Sequence, residues 1–182
     1  MIETLISSKT RVKLLLKFFL NSSTKSYLRG LESEFGESSN GIRIELNRFT
    51  EAGMLKTSVE GNKKFFTANT SHPLYGSIHS LIRQYVGIDT IIENVVVRLG
   101  DVEKVFLTGE FAKGLDNPVI DIILIGKVDK TYLLNLVEKA EKMIGKKIRY
   151  MSFSPSEWKA YKKQLRTDHA LLLWQKDDQQ TT

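Results

Sequence analysis

The stretch from residue 27 to residue 53 constrains the fold of this chain most. Apolar residues recur there with helical spacing in two short segments, which predicts helices at about 27–35 and 40–52. Gly36 and Gly53 directly follow these segments, as glycines do where helices end. The second segment is apolar on one side and polar on the other, so one face is predicted to meet a core and the opposite face to remain exposed.

A basic hairpin is predicted after the second helix. Its strands are expected at 54–58 and 64–68, and the turn between them, 59–63, contains a glycine. A further helix is predicted before the two others, over 11–20. The order of elements is therefore helix, short helix, turn, polar helix and basic hairpin.

This order and several runs of residues resemble the ArsR-type winged helix-turn-helix regulators over about residues 5–72. The most specific run is LNRFTEAGML at 46–55. The resemblance implies a DNA-binding domain, assigned to residues 1–72, in a protein that forms a homodimer. The other runs that carry the resemblance are YLRGL at 27–31, ESSNGIR at 37–43 and EGNKK at 60–64.

The polar side of the helix predicted at 40–52 carries residues suited to reading duplex DNA. Arg43 and Asn47 are four residues apart and share one face. In a major groove that admits one helix, arginine pairs with guanine and asparagine with adenine, whereas lysines of the hairpin would contact phosphates. Glu45 and Glu51 reduce the positive charge of this face. The predicted DNA-binding residues are Ser39, Asn40, Arg43, Asn47, Arg48, Lys56, Asn62, Lys63 and Lys64.

The charge of the chain is concentrated in its first half. The whole sequence has 27 Lys and Arg against 21 Asp and Glu, a net charge of +6. Residues 1–86 hold 12 basic and 7 acidic residues, a net +5, and residues 87–182 hold 15 and 14, a net +1. Such asymmetry favours a nucleic-acid-binding module joined to another domain, although the same charges would also serve to solvate a helix and a hairpin.

The chain has no cysteine. This excludes a disulfide scaffold, a thiol nucleophile and a thiolate metal site. Many ArsR-type proteins sense metals through cysteines, and His72, His79 and His169 do not form the i, i+4 pair that chelates a metal from a helix. We therefore expect no metal site and no cofactor.

No run of apolar residues is long enough to span a bilayer. The apolar run at 14–20 is interrupted by Lys17, and Glu3 stands where a signal peptide carries positive charge. We expect a cytoplasmic protein without membrane contact.

The second half of the chain alternates predicted strands and helices. A helical connector is expected over 73–100, with apolar faces that either pack within the chain or pair two protomers. A small α/β domain follows at 101–182. The predicted fold class is therefore α+β, with an N-terminal winged helix-turn-helix domain, a helical connector and a C-terminal α/β domain.

Two runs of the α/β domain, VFLTGEFAKG at 105–114 and IDIILIGKVD at 120–129, resemble the minimal nucleotidyltransferase domain. That family opens with Gly-Ser and a turn, then carries Asp-x-Asp on the next strand and a third carboxylate on a later strand. The resemblance covers about residues 90–175. It implies a nucleotidyltransferase-like fold for the C-terminal domain.

The catalytic positions of that family are degenerate in this chain. Gly109 is present, but Glu110 replaces the serine, and its carboxylate would repel a triphosphate. Val119 replaces the first aspartate, so that Asp121 alone remains of a pair that grips metal ions. The candidate later strand, 147–153, has no carboxylate. We therefore expect no catalytic residue and no enzyme, because phosphoryl transfer depends on those charges.

These features predict a sequence-specific, DNA-binding transcriptional regulator, with duplex DNA and a second copy of the chain as partners. The α/β domain would then support dimerisation or sense an unknown small molecule or nucleotide. One alternative is a Mg-dependent nucleotidyltransferase that uses the winged helix as a substrate-binding arm. Another is a winged helix that binds a protein instead of DNA.

Overall fold

The computed structural model describes residues 6–163, 165 and 170–176. It has a mixed α+β fold, which confirms the predicted class, and divides into two compact units. The first unit contains the described residues up to Tyr85 together with Lys113–Asp116, and the second contains Val86–Ala112 and the described residues from Asn117 onward. The finer division into 1–72, 73–100 and 101–182 stays a prediction.

Helices and one small sheet make up the first unit. The first helix continues from α-helical into π-helical geometry over Leu16–Leu20. The elements are α1 (Lys9–Leu15), β1 (Lys25–Tyr27), α2 (Leu28–Phe35), α3 (Ser39–Glu51), β2 (Leu55–Glu60), β3 (Lys63–Ala68) and α4 (Tyr75–Val86). The last residue of α4, Val86, is assigned to the second unit.

Local sequence explains where these helices begin and end. The Ser8 side chain accepts a hydrogen bond from the backbone N–H of Arg11 and caps α1, and Ser38 caps α3 in the same way. Gly36 ends α2 with a φ of 64°, in the left-handed region that favours glycine. Apolar side chains on the inner faces of these helices form the core, among them Leu14, Phe18, Phe19, Leu31, Ile42 and Leu46, all 0 or 1% exposed.

The three strands of the first unit form an antiparallel sheet in the order β1-β3-β2. The hairpin turn between β2 and β3 contains only Gly61 and Asn62, because Glu60 already pairs with Lys63. Gly61 has a φ of 59°, which a two-residue hairpin turn requires. Strand β1, which pairs with the other edge of β3, is not among the elements predicted from the sequence.

A segment distant in sequence completes the first unit. The buried Lys17 donates a hydrogen bond from its Nζ to the carbonyl oxygen of Lys113, at 2.8 Å, and forms an ion pair with Glu34 at 2.6 Å. Gly114 lies against the Lys17 backbone so closely that a Cβ there would be 2.3 Å from the Lys17 Cα. The hydroxyl of Tyr85 donates a hydrogen bond to a carboxylate oxygen of Asp116, at 2.9 Å.

The second unit is an α/β layer structure. Its first helices, α5 (Ile88–Ile91) and α6 (Val97–Leu99), are joined by a π-helical segment, Ile92–Val96. The remaining elements are β4 (Val102–Thr108), α7 (Gly109–Ala112), β5 (Val119–Gly126), α8 (Lys130–Ile144), β6 (Lys147–Phe153), α9 (Pro155–Tyr161) and β7 (Leu171–Gln175).

A four-stranded sheet in the order β6-β5-β4-β7 forms the centre of the second unit. Strands β5 and β6 are parallel and are joined through α8, whereas β4 is antiparallel to both its neighbours. Residues 120 and 122 of β5 are buried on one face of the sheet, so Asp121 between them lies on the opposite face.

Candidate functional site

A cleft of about 510 Å³ lies within the first unit, between α3, the start of α2 and the β2–β3 hairpin. Positive charge dominates its lining, which contains four cationic side chains and, among the described residues that form it, no acidic one. The lining residues are Tyr27, Leu28, Arg29, Arg43, Leu46, Asn47, Asn62, Lys63, Lys64 and Phe66.

The cleft brings together residues that the sequence places on two separate elements. Arg43 and Asn47 reach it from the exposed side of α3, and Asn62, Lys63 and Lys64 reach it from the hairpin. Within the described part of the chain, Arg43 forms no ion pair. Its guanidinium therefore keeps all its donors for a ligand.

Glu45 does not neutralise this surface, contrary to the sequence-based expectation. Its side chain is only 8% exposed and turns away from the cleft, where its oxygens accept hydrogen bonds from Arg11 Nε at 2.8 Å and from Arg48 Nη1 at 3.0 Å. Burial raises the pKa of Glu45, but the hydrogen bond and charge of Arg11 and the charge of Arg48 outweigh it and hold the pKa below its usual value.

Other predicted DNA-binding residues lie outside the lining of the cleft. Ser39 and Asn40 form the first turn of α3, half-buried and exposed respectively. Arg48 is exposed but is paired with Glu45. Lys56 is exposed on β2, opposite Thr67 of β3. The structure therefore gives these four positions no shared site with Arg43.

Sequence reasoning missed Tyr27 and Arg29 as lining residues. Both residues reach the cleft because strand β1 pairs Tyr27 with Phe65 of the hairpin. This pairing brings the start of α2, with Arg29, to the cleft. Lys63 Nζ lies over the Tyr27 ring, 4.5 Å from its centroid. The only signal in the sequence was the basic and aromatic composition of 25–29, which does not reveal this pairing.

A second pocket, of about 310 Å³, lies in the second unit at the start of β5 and β6. Gly109 has a φ of 66°, and a Cβ there would be 2.2 Å from an Asp121 carboxylate oxygen. The Asp121 carboxylate, 14% exposed, pairs with the largely exposed Arg149, and this hydrogen bond and charge raise the pKa of Arg149 above its usual value. The lining residues are Thr108, Gly109, Asp121, Ile122, Arg149, Tyr150 and Met151.

Two of the four degenerate positions, Gly109 and Asp121, line this pocket, and Asp121 is the one carboxylate among its described lining residues. Val119 lies two residues before Asp121 on the same sheet face, opposite Lys147 of β6. Arg149 is in register with Asp121, so a cation stands beside the remaining carboxylate. Glu110 lies half-buried in the first turn of α7. Among the described residues, no group of three His, Cys, Asp or Glu side chains could hold a metal ion.

Two of the three histidines lie within hydrogen-bond distance of backbone atoms. His72 accepts a hydrogen bond from the backbone N–H of Leu74, and His79 Nδ1 lies 2.6 Å from the Phe19 carbonyl oxygen. His169 lies outside the described residues.

None of the helices within the described residues combines the length and the hydropathy that a bilayer-spanning segment needs.

Comparison with known proteins gives two similar solved structures. No family model matches the chain, and no curated protein matches it. The protein AF1382 from Archaeoglobus fulgidus is 18% identical, with a TM-score of 0.37, over 52% of this chain and 99% of its own. A protein from Sulfolobus solfataricus, described as a "putative nucleotidyltransferase", is 23% identical, with a TM-score of 0.36, over 56% of this chain and 89% of its own.

The second of these likenesses corrects one expectation. The degenerate positions predicted that the chain is not an enzyme, whereas one of the two similar structures is described as a "putative nucleotidyltransferase". The chain departs from the family pattern by Glu110 in place of the serine, by Val119 in place of the first aspartate and by the lack of a carboxylate at 147–153. These departures do not by themselves exclude an activity. That expectation is therefore withdrawn.

Proposed function

We propose that the chain is a transcriptional regulator whose first unit is a winged helix-turn-helix that binds duplex DNA. The observation that carries the proposal is the cleft in which α3 and the hairpin present Arg43, Asn47, Lys63 and Lys64 together. None of the described residues that line this cleft is acidic. A concave, basic surface beside an exposed polar helix is the footprint of duplex binding.

In this proposal α3 enters the major groove and the hairpin lies along the backbone. Arg43 and Asn47 then reach base edges, where arginine favours guanine and asparagine favours adenine. Lys63, Lys64 and Arg29 contact phosphates, which supplies affinity and orientation without reading sequence. The inward position of Glu45 supports this arrangement, because it keeps that carboxylate away from the side of α3 that would face the phosphates.

The proposal includes a homodimer that binds two half-sites about one helical turn apart. It also assigns residues 1–72 to the DNA-binding domain, 73–100 to a connector and 101–182 to a nucleotidyltransferase-like domain. A small molecule or nucleotide in the pocket beside Asp121 would be the effector of such a regulator.

Selection of bound duplex fragments, followed by fluorescence anisotropy across a salt series, tests the main proposal. We expect one pseudo-palindromic sequence to be enriched, with affinity that falls steeply with salt. For cleft variants that lose one positive charge, such as Arg43→Ala, the matched control is Lys139→Ala. This control removes an exposed lysine from α8 in the other unit. Binding that stays weaker than the non-specific range of about 10⁻⁴–10⁻⁶ M would refute DNA binding and favour a protein partner.

The second candidate is a Mg-dependent nucleotidyltransferase that uses the first unit as a substrate-binding arm. The Gly109 turn beside Asp121 supports it, because such a turn lets a phosphate approach the backbone closely. Calorimetry with each nucleoside triphosphate and Mg²⁺ tests it. If this function is correct, a triphosphate gives a heat of binding that requires Mg²⁺ and that is lost in Asp121→Asn. If no triphosphate gives a heat of binding with the parent protein, this function is rejected.

A further inference from the structure

A row of contacting aromatic and charged side chains runs along one face of the small sheet. Lys63 Nζ lies 4.5 Å from the centroid of the Tyr27 ring, and this ring meets the Phe65 ring edge-on, with centroids 5.5 Å apart at 70°. On the far side Lys25 Nζ lies 4.7 Å from the Phe65 centroid and pairs with Glu60. The order along the sheet is therefore cation, aromatic, aromatic, cation, anion.

Strand pairing produces this order. Tyr27 is opposite Phe65 in the β1–β3 pair, and Lys63, two residues before Phe65 on β3, projects from the same face of the sheet. Tyr27 is the last residue of β1 and the residue before α2, so its ring is held at the junction of the sheet and the helix.

Gly30 makes room for the Tyr27 ring. A Cβ on Gly30 would be 3.2 Å from Cε1 and 3.4 Å from Cζ of Tyr27, tighter than ordinary van der Waals contact. The ring thus lies directly on the first turn of α2. Since Phe65 and Lys63 occupy its other sides, the ring has little freedom to move.

We propose that Tyr27 is a positioning residue that holds the Lys63 ammonium in the cleft for contact with a DNA phosphate. This inference rests on the proposed DNA binding and deepens it. A lysine on a hairpin tip ordinarily loses much side-chain freedom when it contacts a ligand. A cation held over an aromatic face has already lost part of that freedom, so less is lost on binding.

The ring of Tyr27 is not a base-stacking platform in this proposal. Lys63 lies over one of its faces, and the Phe65 and Gly30 contacts restrict the rest. Tyr27 therefore acts through Lys63. Its hydroxyl is not required, which separates this role from direct recognition of DNA by a tyrosine.

A double-mutant cycle on the full chain tests the proposal. The proteins are the parent, Tyr27→Leu, Lys63→Gln and the double variant, and the probe is a duplex enriched by selection, or a random-sequence duplex of equal length. Tyr27→Leu should weaken binding about two- to fivefold. For Lys63→Gln, the slope of log affinity against log salt concentration should fall by roughly 0.9, and for Tyr27→Leu it should fall by less. In the Lys63→Gln background Tyr27→Leu should have no further effect.

Two further variants separate positioning from folding. Tyr27→Phe keeps the ring and should bind as the parent does, and Lys25→Gln removes one charge on the same sheet outside the cleft lining. If Tyr27→Leu fails to fold, Tyr27→Met, which also lacks the aromatic face, replaces it in the cycle. The ring-current shift of the Lys63 side chain in NMR spectra, present in the parent and Tyr27→Phe and absent in Tyr27→Leu, reports the contact without DNA.

The outcomes distinguish this inference from the function on which it rests. A parent protein without salt-dependent DNA affinity overturns both. A parent that binds DNA, with Tyr27→Leu equally harmful in the two Lys63 backgrounds or harmless in both, overturns the positioning role alone. Loss of binding in Tyr27→Phe also overturns it, because the hydroxyl would then be the contact.

Discussion

Asp121 and Arg149 face each other on neighbouring parallel strands and form an ion pair in the lining of the second pocket. The pair places a cation beside the one carboxylate that remains from the acidic set of the nucleotidyltransferase pattern. Any ligand of this pocket meets both charges, so a polar or zwitterionic group fits it better than a bare anion.

Gly109→Ala should destabilise the chain by about 1–3 kcal/mol more than Gly145→Ala. Both glycines have nearly the same φ, 66° and 67°. An added Cβ meets Asp121 at the first position and, among the described residues, nothing within 4 Å at the second. The comparison thus isolates the collision with Asp121 from backbone strain. Chemical denaturation of the two variants measures it, and equal destabilisation would show that the carboxylate moves away without cost.

Arg43→Ala should weaken binding to the selected duplex by about 1–3 kcal/mol and relax the preference at one base pair. Arg43→Lys keeps the charge and loses the planar pair of donors, so it should retain non-specific affinity while losing that preference. Dissociation constants for the selected duplex and its single-base variants check both effects. An unchanged preference at every base would exclude Arg43 from direct readout.

Glu45→Gln should lower the free energy of unfolding by about 1–3 kcal/mol at neutral pH, because it weakens charge-assisted hydrogen bonds to Arg11 and Arg48. The pKa of Glu45 is lowered in the folded state, so its contribution is complete above the unfolded pKa, about 4.3, and is lost as the pH falls through the folded value. The difference between parent and variant should therefore shrink below about pH 4.

Urea denaturation of the parent and Glu45→Gln at several pH values from about 3 to 7 measures this dependence. The exposed Glu51 on the same helix supplies the control variant, Glu51→Gln, which should change stability little. A difference that grows as the pH falls would contradict the assigned ion pairs.

Gly114→Ala should destabilise the first unit by about 3 kcal/mol more than Gly36→Ala. Both glycines have positive φ, 76° and 64°, but only Gly114 approaches backbone atoms, those of Lys17 and Leu16. Because backbone atoms cannot adopt another rotamer, an added Cβ at residue 114 would still overlap with the Lys17 backbone. Thermal unfolding of the two variants checks this, and similar midpoints would mean that the 113–116 segment is readily displaced.

Much of the fold could be predicted from local signals. Helix α8, Lys130–Ile144, has both limits marked by residues of local effect, because Asp129 caps its start and Gly145 ends it in the left-handed conformation. Strand β1 was missed because three residues give no alternating pattern and the strand is defined by its pairing with β3. The π-helical segments cannot be distinguished from α-helix in the sequence, since both geometries bury a similar apolar stripe.

The candidate site shows the same division between local and distant information. The helical spacing of Arg43 and Asn47 is enough to place them on one face. The inward position of Glu45 depends on Arg11, 34 residues away, and the meeting of Asp121 with Arg149 depends on strand register. Sequence spacing within one element does not contain either relationship.

The hydrogen bond from Lys17 to the carbonyl oxygen of Lys113 also affects the order in which the chain can fold during synthesis. The helix that carries Lys17 leaves the ribosome long before residue 113 does. The first unit can therefore form this hydrogen bond only after 113–116 has been synthesised. No single cut separates the two units, because 113–116 belongs to the first and is flanked by the second. A fragment that ends at residue 85 would be a nascent intermediate of this protein and not its finished first unit.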